Sequence, residues 1–197
     1  MAGRGISSVC VYCGSRTGHD PAHAAAASAL GHGLASRGHA LVYGAGGIGL
    51  MNVVADAVIA RKGVAIGVIP RHLAELELKH NGLSETVLVD TMHERKQIMF
   101  ERADAFVVLP GGFGTLDELF EILTWKMLGL HDKPVYVLNS QGYWDPLEEL
   151  IRHVIGHGFA GPETAALLTF VPDVERLFRA LDSHVIETPV QARAHLA

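Results

Sequence analysis

The sequence predicts an α/β fold, a Rossmann-like doubly wound parallel sheet with helices on both faces. Three observations predict it. Short apolar runs rich in β-formers alternate with stretches whose apolar residues recur at helical spacing, the pattern of parallel strands joined by helical crossovers. Two strand-to-helix junctions are glycine-rich, Gly44-Ala-Gly-Gly-Ile-Gly49 and Pro110-Gly-Gly-Phe-Gly-Thr115. No repeat or linker divides the 197 residues, 49% of them hydrophobic, so residues 1–197 read as a single domain with one good core.

In chain order, residues 6–13 read as a strand and Gly14, Ser15 and Arg16 as the loop that follows it. Loops at the carboxyl ends of parallel strands form the ligand crevice of such sheets, so Gly14, Ser15 and Arg16 are candidates for nucleotide contacts, with an ordinary turn as the alternative. Cys10 and Cys13, with His19 and His23 behind them, offer four nominal metal ligands. Strand alternation sends the two cysteines to opposite faces, so they read as buried free thiols, and no metal is expected. Residues 21–37 are alanine-rich and helical, stopped by Gly38, and residues 39–43 form the next strand.

The loop after it contains G-x-G-x-x-G in the register Gly44, Gly46, Gly49 and opens onto a helix over residues 50–60. The following strand, residues 64–69, ends in Pro70 and Arg71 rather than in the acidic residue a dinucleotide site requires, so no dinucleotide cofactor is expected. Residues 71–84 are polar and irregular, and Glu77 there reads by composition as an exposed charge. Residues 86–90 form a short strand. The next helix, opening near Thr91, places Met92, Arg95, Met99 and Arg102 on one stripe, so Arg95 either snorkels at its edge or points into a pocket.

The central unit is the strand 105–109, a loop bearing Gly111, Gly112 and Gly114, and a helix capped by Thr115. Glycines let backbone N–H groups approach an anion, and a helix start adds unpaired N–H groups and the positive end of its dipole. The loop lacks a P-loop lysine. Thr115 and Glu118 also fit a T-x-x-E capping box, and the two readings are compatible. Beyond it lie a strand over 134–139, a helix from 142 to about 155, a final helix over 172–181 and a loose tail, about 184–197. His131-Asp132 reads as a loop. A net charge of −5 argues against a nucleic-acid surface. Without a signal-peptide pattern or an apolar run of ~18 residues, the chain is expected to be cytoplasmic and not to enter a membrane.

Pro110-Gly-Gly-Phe-Gly-Thr-Leu-Asp-Glu118, with Met92-His-Glu-Arg-Lys96 before it and Thr124-Trp125 and Gly129-Leu-His-Asp-Lys-Pro134 after it, resembles the Lonely Guy (LOG) family. The resemblance extends from Val9-Cys-Val-Tyr-Cys-Gly-Ser15 through Gly142-Tyr-Trp144 to Gly158-Phe159. It departs where Ala45 and Asn52 stand for glycines of the family pattern and Asp117 for a glutamate. The resemblance implies a nucleotide-binding domain that hydrolyses the N-glycosidic bond of N6-modified adenosine 5′-monophosphates, an AMP-like substrate, with no cofactor. It makes Arg95 and Glu118 catalytic. It assigns substrate or phosphate binding to Glu77, Lys96, Gly111, Gly112, Phe113, Gly114, Thr115, Leu116, Asp117 and Thr124, and Met92 at the head of the Arg95 stripe and Gly46 and Gly47 from the second glycine loop join them as candidates. It also implies a homodimer or higher homo-oligomer with apolar helices at the interface; Trp125 and Met127 fit such an interface and fit a core position equally. A broader nucleoside monophosphate nucleosidase and a non-enzymatic carrier of a phosphorylated pterin (molybdenum cofactor) remain alternatives. A pyridoxal-dependent lysine decarboxylase does not, because nothing around Lys96 or Lys126 suggests a Schiff-base site.

Overall fold

A computed structural model describes residues 4–75 and 79–186. Seven parallel strands make the sheet, in the order β5 (Glu85–Val89), β4 (Ala65–Pro70), β3 (Ala40–Tyr43), β2 (Ser8–Tyr12), β6 (Ala105–Val108), β7 (Val135–Leu138) and β8 (Thr169–Val171). The predicted doubly wound α/β fold is the one found. The central strands β3, β6 and β7 are almost wholly buried, as apolar runs covered on both faces must be.

Two helical layers cover the sheet. On one face α1 (Pro21–Ser36), α2 (Gly49–Ala60) and α7 (Val174–Ser183) pack around Leu30, Leu34, Val54, Val58, Leu177 and Phe178. On the other, α4 (Met92–Glu101), α5 (Phe113–Met127) and α6 (Asp145–Gly156) enclose Met99, Phe106, Leu119, Ile122 and Leu147. Cys10 belongs to the second core and Cys13 to the first, so strand alternation does separate them, and both thiols are free and buried.

Several local expectations need correction. A short helix α3 (Arg71–Glu75) opens the stretch read as irregular, and Glu77 lies outside the described residues. The helix expected from residue 142 is a 3-10 turn, Ser140–Gly142, followed by α6 from Asp145. Strand β8 has no counterpart in the sequence reading. The tail is not loose from 184: α7 runs to Ser183, and β9 (Val185–Ile186) pairs antiparallel with β1 (Arg4–Gly5). The largest correction concerns Thr115. Helix α5 starts at Phe113 with Gly112 as N-cap, so Thr115 lies inside the first turn. The capping box is at α4 instead, where Thr91 Oγ1 accepts from the Glu94 N–H at 3.1 Å and Glu94 accepts from the Thr91 N–H at 3.2 Å.

Candidate active site

The strand order fixes where a ligand can sit. From β2 the chain winds outward through β3, β4 and β5, then returns to place β6 on the other side of β2, so the winding reverses between β2 and β6. That switch point opens a crevice at the strands' carboxyl ends. Three loops close around it. The Gly14 N–H donates to the Pro110 carbonyl at 3.0 Å, and the Leu50 N–H donates to the Gly14 carbonyl at 3.0 Å. Gly49 has φ +63°, and a Cβ there would fall 2.2 Å from the Ser15 backbone, so only glycine allows this approach.

At the crevice α5 presents an open N-terminus. Its N-cap, Gly112, supplies no side-chain hydrogen bond, so the first-turn N–H groups remain for a ligand, with the helix dipole behind them. Thr115 is buried with its side chain over Gly111. One turn further, Glu118 points into the cavity instead of back to a cap.

Arg95 on α4 meets it there. Its Nη1 donates to Glu118 Oε1 at 3.0 Å and its Nε to the Val68 carbonyl at 3.2 Å. Gly44 makes room for the guanidinium, since a Cβ there would stand 1.7 Å from Arg95 Nη2. Burial pushes the Glu118 carboxyl up to about 7; Arg95 opposes the rise, Asp117 adds to it, and Lys96 opposes it more weakly. A carboxyl that is half-ionised near neutrality, in a cleft and beside a cation, suits proton transfer or the stabilisation of developing positive charge.

The cavity, about 210 Å³, is lined by Gly14, Ser15, Arg95, Gly112, Phe113, Gly114, Thr115 and Glu118 among the sequence candidates. Val11, Cys13, Gly44 and Met51 complete the lining. Sequence reasoning missed these four. Cys13 was read as core, and its thiol is held protonated by burial and by Glu118. The glycine that ends the β3 run was the one available signal for Gly44.

The remaining candidates stand outside that lining. Gly111 lines an adjoining groove of about 840 Å³. Gly46 is buried under Met51, and Gly47 backs onto the Lys79 backbone. Met92 is exposed at the start of α4, and Leu116 packs against the second core. Lys96 is buried between Asp117 Oδ2 at 3.1 Å and Glu121 Oε1 at 3.0 Å, which ties α4 to α5 one residue away from the Arg95–Glu118 pair. Thr124 faces a separate apolar groove and donates to the Phe120 carbonyl. Among the described residues no group of three or more metal-ligating side chains occurs.

Fold and site together define an α/β protein with an uncapped, open helix start and a buried arginine–glutamate pair at its switch point. The family model described as "Possible lysine decarboxylase" matches residues 51–181. The chain is 41% identical over 89% of its length to the rice probable cytokinin riboside 5′-monophosphate phosphoribohydrolase LOGL1, spanning 79% of that protein. It is 42% identical over 89% of its length to LOG3 of Arabidopsis thaliana and 43% identical over 91% to the probable LOG6 of the same plant, spanning 82% and 90% of them. The chain belongs to the LOG family. Among solved structures, the molybdenum cofactor binding protein of Rippkaea orientalis superposes with a TM-score of 0.71 at 19% identity, covering 91% of this chain and 97% of that one. The molybdenum cofactor carrier protein of Chlamydomonas reinhardtii gives 0.68 at 20% identity, covering 90% and 96%. At such identities these likenesses speak for the fold alone.

Proposed function

We propose that the protein hydrolyses the N-glycosidic bond of N6-modified adenosine 5′-monophosphates, releasing the free base and ribose 5-phosphate. The observation that carries the reading is the buried Arg95–Glu118 pair one helical turn beyond the open N-terminus of α5. Phosphate binds the N–H groups of Gly112, Phe113, Gly114 and Thr115. Glu118 follows Thr115 by three residues, roughly 4.5 Å of helix rise, so a pentose anchored by its 5′-phosphate brings its anomeric carbon toward the carboxylate. As the C1′–N9 bond breaks, its electron pair leaves with the base and positive charge grows on the sugar. Ionised Glu118 stabilises that charge and accepts a proton from the water that attacks C1′, while the departing base takes up one proton from solvent, so that free base and ribose 5-phosphate balance the water consumed. Arg95 holds Glu118 in place and favours its ionised form.

Lysine decarboxylation lacks support, since no lysine among the described residues lines the cavity: Lys96 is committed to two carboxylates and Lys126 donates to the Lys133 carbonyl. No helix among the described residues is long and apolar enough to cross a membrane, and two free buried thiols agree with a cytoplasmic setting. A homodimer is part of the proposal, formed through the apolar groove between α5 and α6.

The test is release of base from N6-isopentenyladenosine 5′-monophosphate, AMP and the unphosphorylated riboside in parallel. Cleavage of the modified monophosphate well above AMP, with the riboside left intact, is expected. Equal rates on AMP would turn the reading into a general nucleoside monophosphate nucleosidase, and no cleavage of any of the three would reject hydrolysis.

A further inference from the structure

We propose that Tyr143 is a positioning residue for the phosphate site, whose hydroxyl locks the Gly111–Gly112 peptide with the Gly112 N–H facing the anion. The inference deepens the phosphoribohydrolase reading and rests on it. Tyr143 follows the turn Ser140–Gly142 after β7, and its hydroxyl donates to the Gly111 carbonyl at 2.6 Å. In a trans peptide the carbonyl of one residue and the N–H of the next point in opposite directions. Tyr143 and Gly111 line the 840 Å³ groove on one side of the loop, whereas Gly112 also lines the cavity that holds Glu118 and Gly111 does not. Holding the carbonyl on the groove side therefore turns the Gly112 N–H toward the cavity.

The loop needs such a brace. A peptide between two glycines is the one freest to flip, because neither side carries a Cβ to bias it. A side chain cannot stiffen Gly111, since a Cβ there would meet Thr115 Oγ1 at 2.1 Å. The N-cap position of α5 has no side-chain cap to do the work. Tyr143, by contrast, is held on several sides. Asn139 accepts from the Trp144 N–H at 2.7 Å and donates to Asp145 at 2.7 Å, fixing the turn. The phenol ring meets His23 of α1 edge-on at 5.3 Å and Trp144 at 4.8 Å between centroids. A flexible loop thus takes its orientation from α1 and from the turn before α6.

The variant Tyr143→Phe keeps the ring and its packing and removes only the donor. The measurements are the Kd of ribose 5-phosphate by titration calorimetry, steady-state turnover of the modified monophosphate, the Kd of the unphosphorylated riboside, and the melting temperature. Kd for ribose 5-phosphate and KM for the monophosphate are expected to rise together by roughly three- to tenfold, the range one neutral hydrogen bond spans. The kcat, the riboside affinity and the melting temperature should stay at wild-type values. Unchanged phosphate affinity would overturn the inference, and so would an equal loss for riboside and phosphate ligand, which would mark a general packing role. Wild-type protein that binds ribose 5-phosphate but cleaves nothing would sink the proposed activity and leave the Kd comparison to decide Tyr143. Wild-type protein that does neither would sink both.

Discussion

In the proposed reaction Glu118 carries the chemistry, and its burial gives that role a measurable signature. Its carboxyl, ordinarily at 4.5, is pushed up to about 7 chiefly by burial, with Arg95 working against the rise. If the ionised form acts, kcat/KM climbs about tenfold per pH unit below that value and levels above it. Glu118→Gln should lower kcat by roughly 10²–10³ and flatten that limb, as a pH–rate profile of both proteins would reveal. The same group affects stability with a definite sign. Between 4.5 and about 7 the folded chain binds more protons than the unfolded one, so this contribution is full below 4.5 and is lost as pH rises through 7. Chemical denaturation at pH 4.5 and 8 should show that loss in the wild type and not in Glu118→Gln. Gly44→Ala tests the partner: a Cβ at 1.7 Å from Arg95 Nη2 must displace the guanidinium, and activity should fall at least ~100-fold with the fold intact by circular dichroism. Arg95 and Glu118 were legible in the sequence as motif residues. Their pairing was not, because Thr115 and Glu118 match a capping box as well as a cavity wall, and only the start of the helix decides between them. Cys13 and Met51 escaped notice because an apolar side chain at a strand end or helix start reads the same whether it faces a core or a cleft.

Helix α4 shows how an element delivers a side chain. It is short and polar, and only Lys96 and Met99 along it are buried, so packing alone holds it weakly. Its start is secured by the reciprocal Thr91–Glu94 box, and Glu94 also accepts from the Asp90 N–H at 2.8 Å. Thr91→Ala should cost about 1 kcal/mol, a shift of roughly 2–4 °C in melting temperature for a chain of this size, and should reduce turnover because the frayed turn lies directly before Arg95. A variant with wild-type stability would show that the box carries no load. Most long elements with clear periodicity were legible to within one or two residues, and α6 starts three residues later than its pattern suggests. Strands β1, β8 and β9, of two or three residues each, were not, since so short a run offers no alternation to read and forms only when a neighbouring strand pairs with it. The start of α5 was misjudged for a related reason: threonine is the better cap by propensity, yet the close fit of Thr115 over Gly111 moves the cap back to a glycine.

At the scale of the whole molecule, alternation of strand and helix made the layered architecture legible, but strand order is not written in any local pattern. It is the adjacency of β2 and β6, nearly a hundred residues apart, that creates the crevice. The molecule's surface carries a second long-range feature. Phe120, Leu123 and Met127 of α5 and Leu150, Ile151 and Val154 of α6 line an apolar groove of about 350 Å³. Met127 is 56% exposed and Leu150 49%, and Leu128 and Leu130, just after Met127 in the chain, are exposed at 64% and 67%. A contiguous apolar surface of this kind is costly to leave in water and is the usual mark of an interface. In a twofold dimer the same patch serves both partners, so each exposed side chain is buried twice in one assembly. Light scattering of the wild type should therefore give about twice the chain mass of 21.1 kDa. Leu150→Arg would bring two like charges to the symmetric contact and strip its apolar centre, and should yield a folded 21.1 kDa monomer. A wild type that sediments as a monomer at micromolar concentration, or a Leu150→Arg variant that remains dimeric, would move the interface elsewhere and leave this groove as a ligand-sized pocket in its own right.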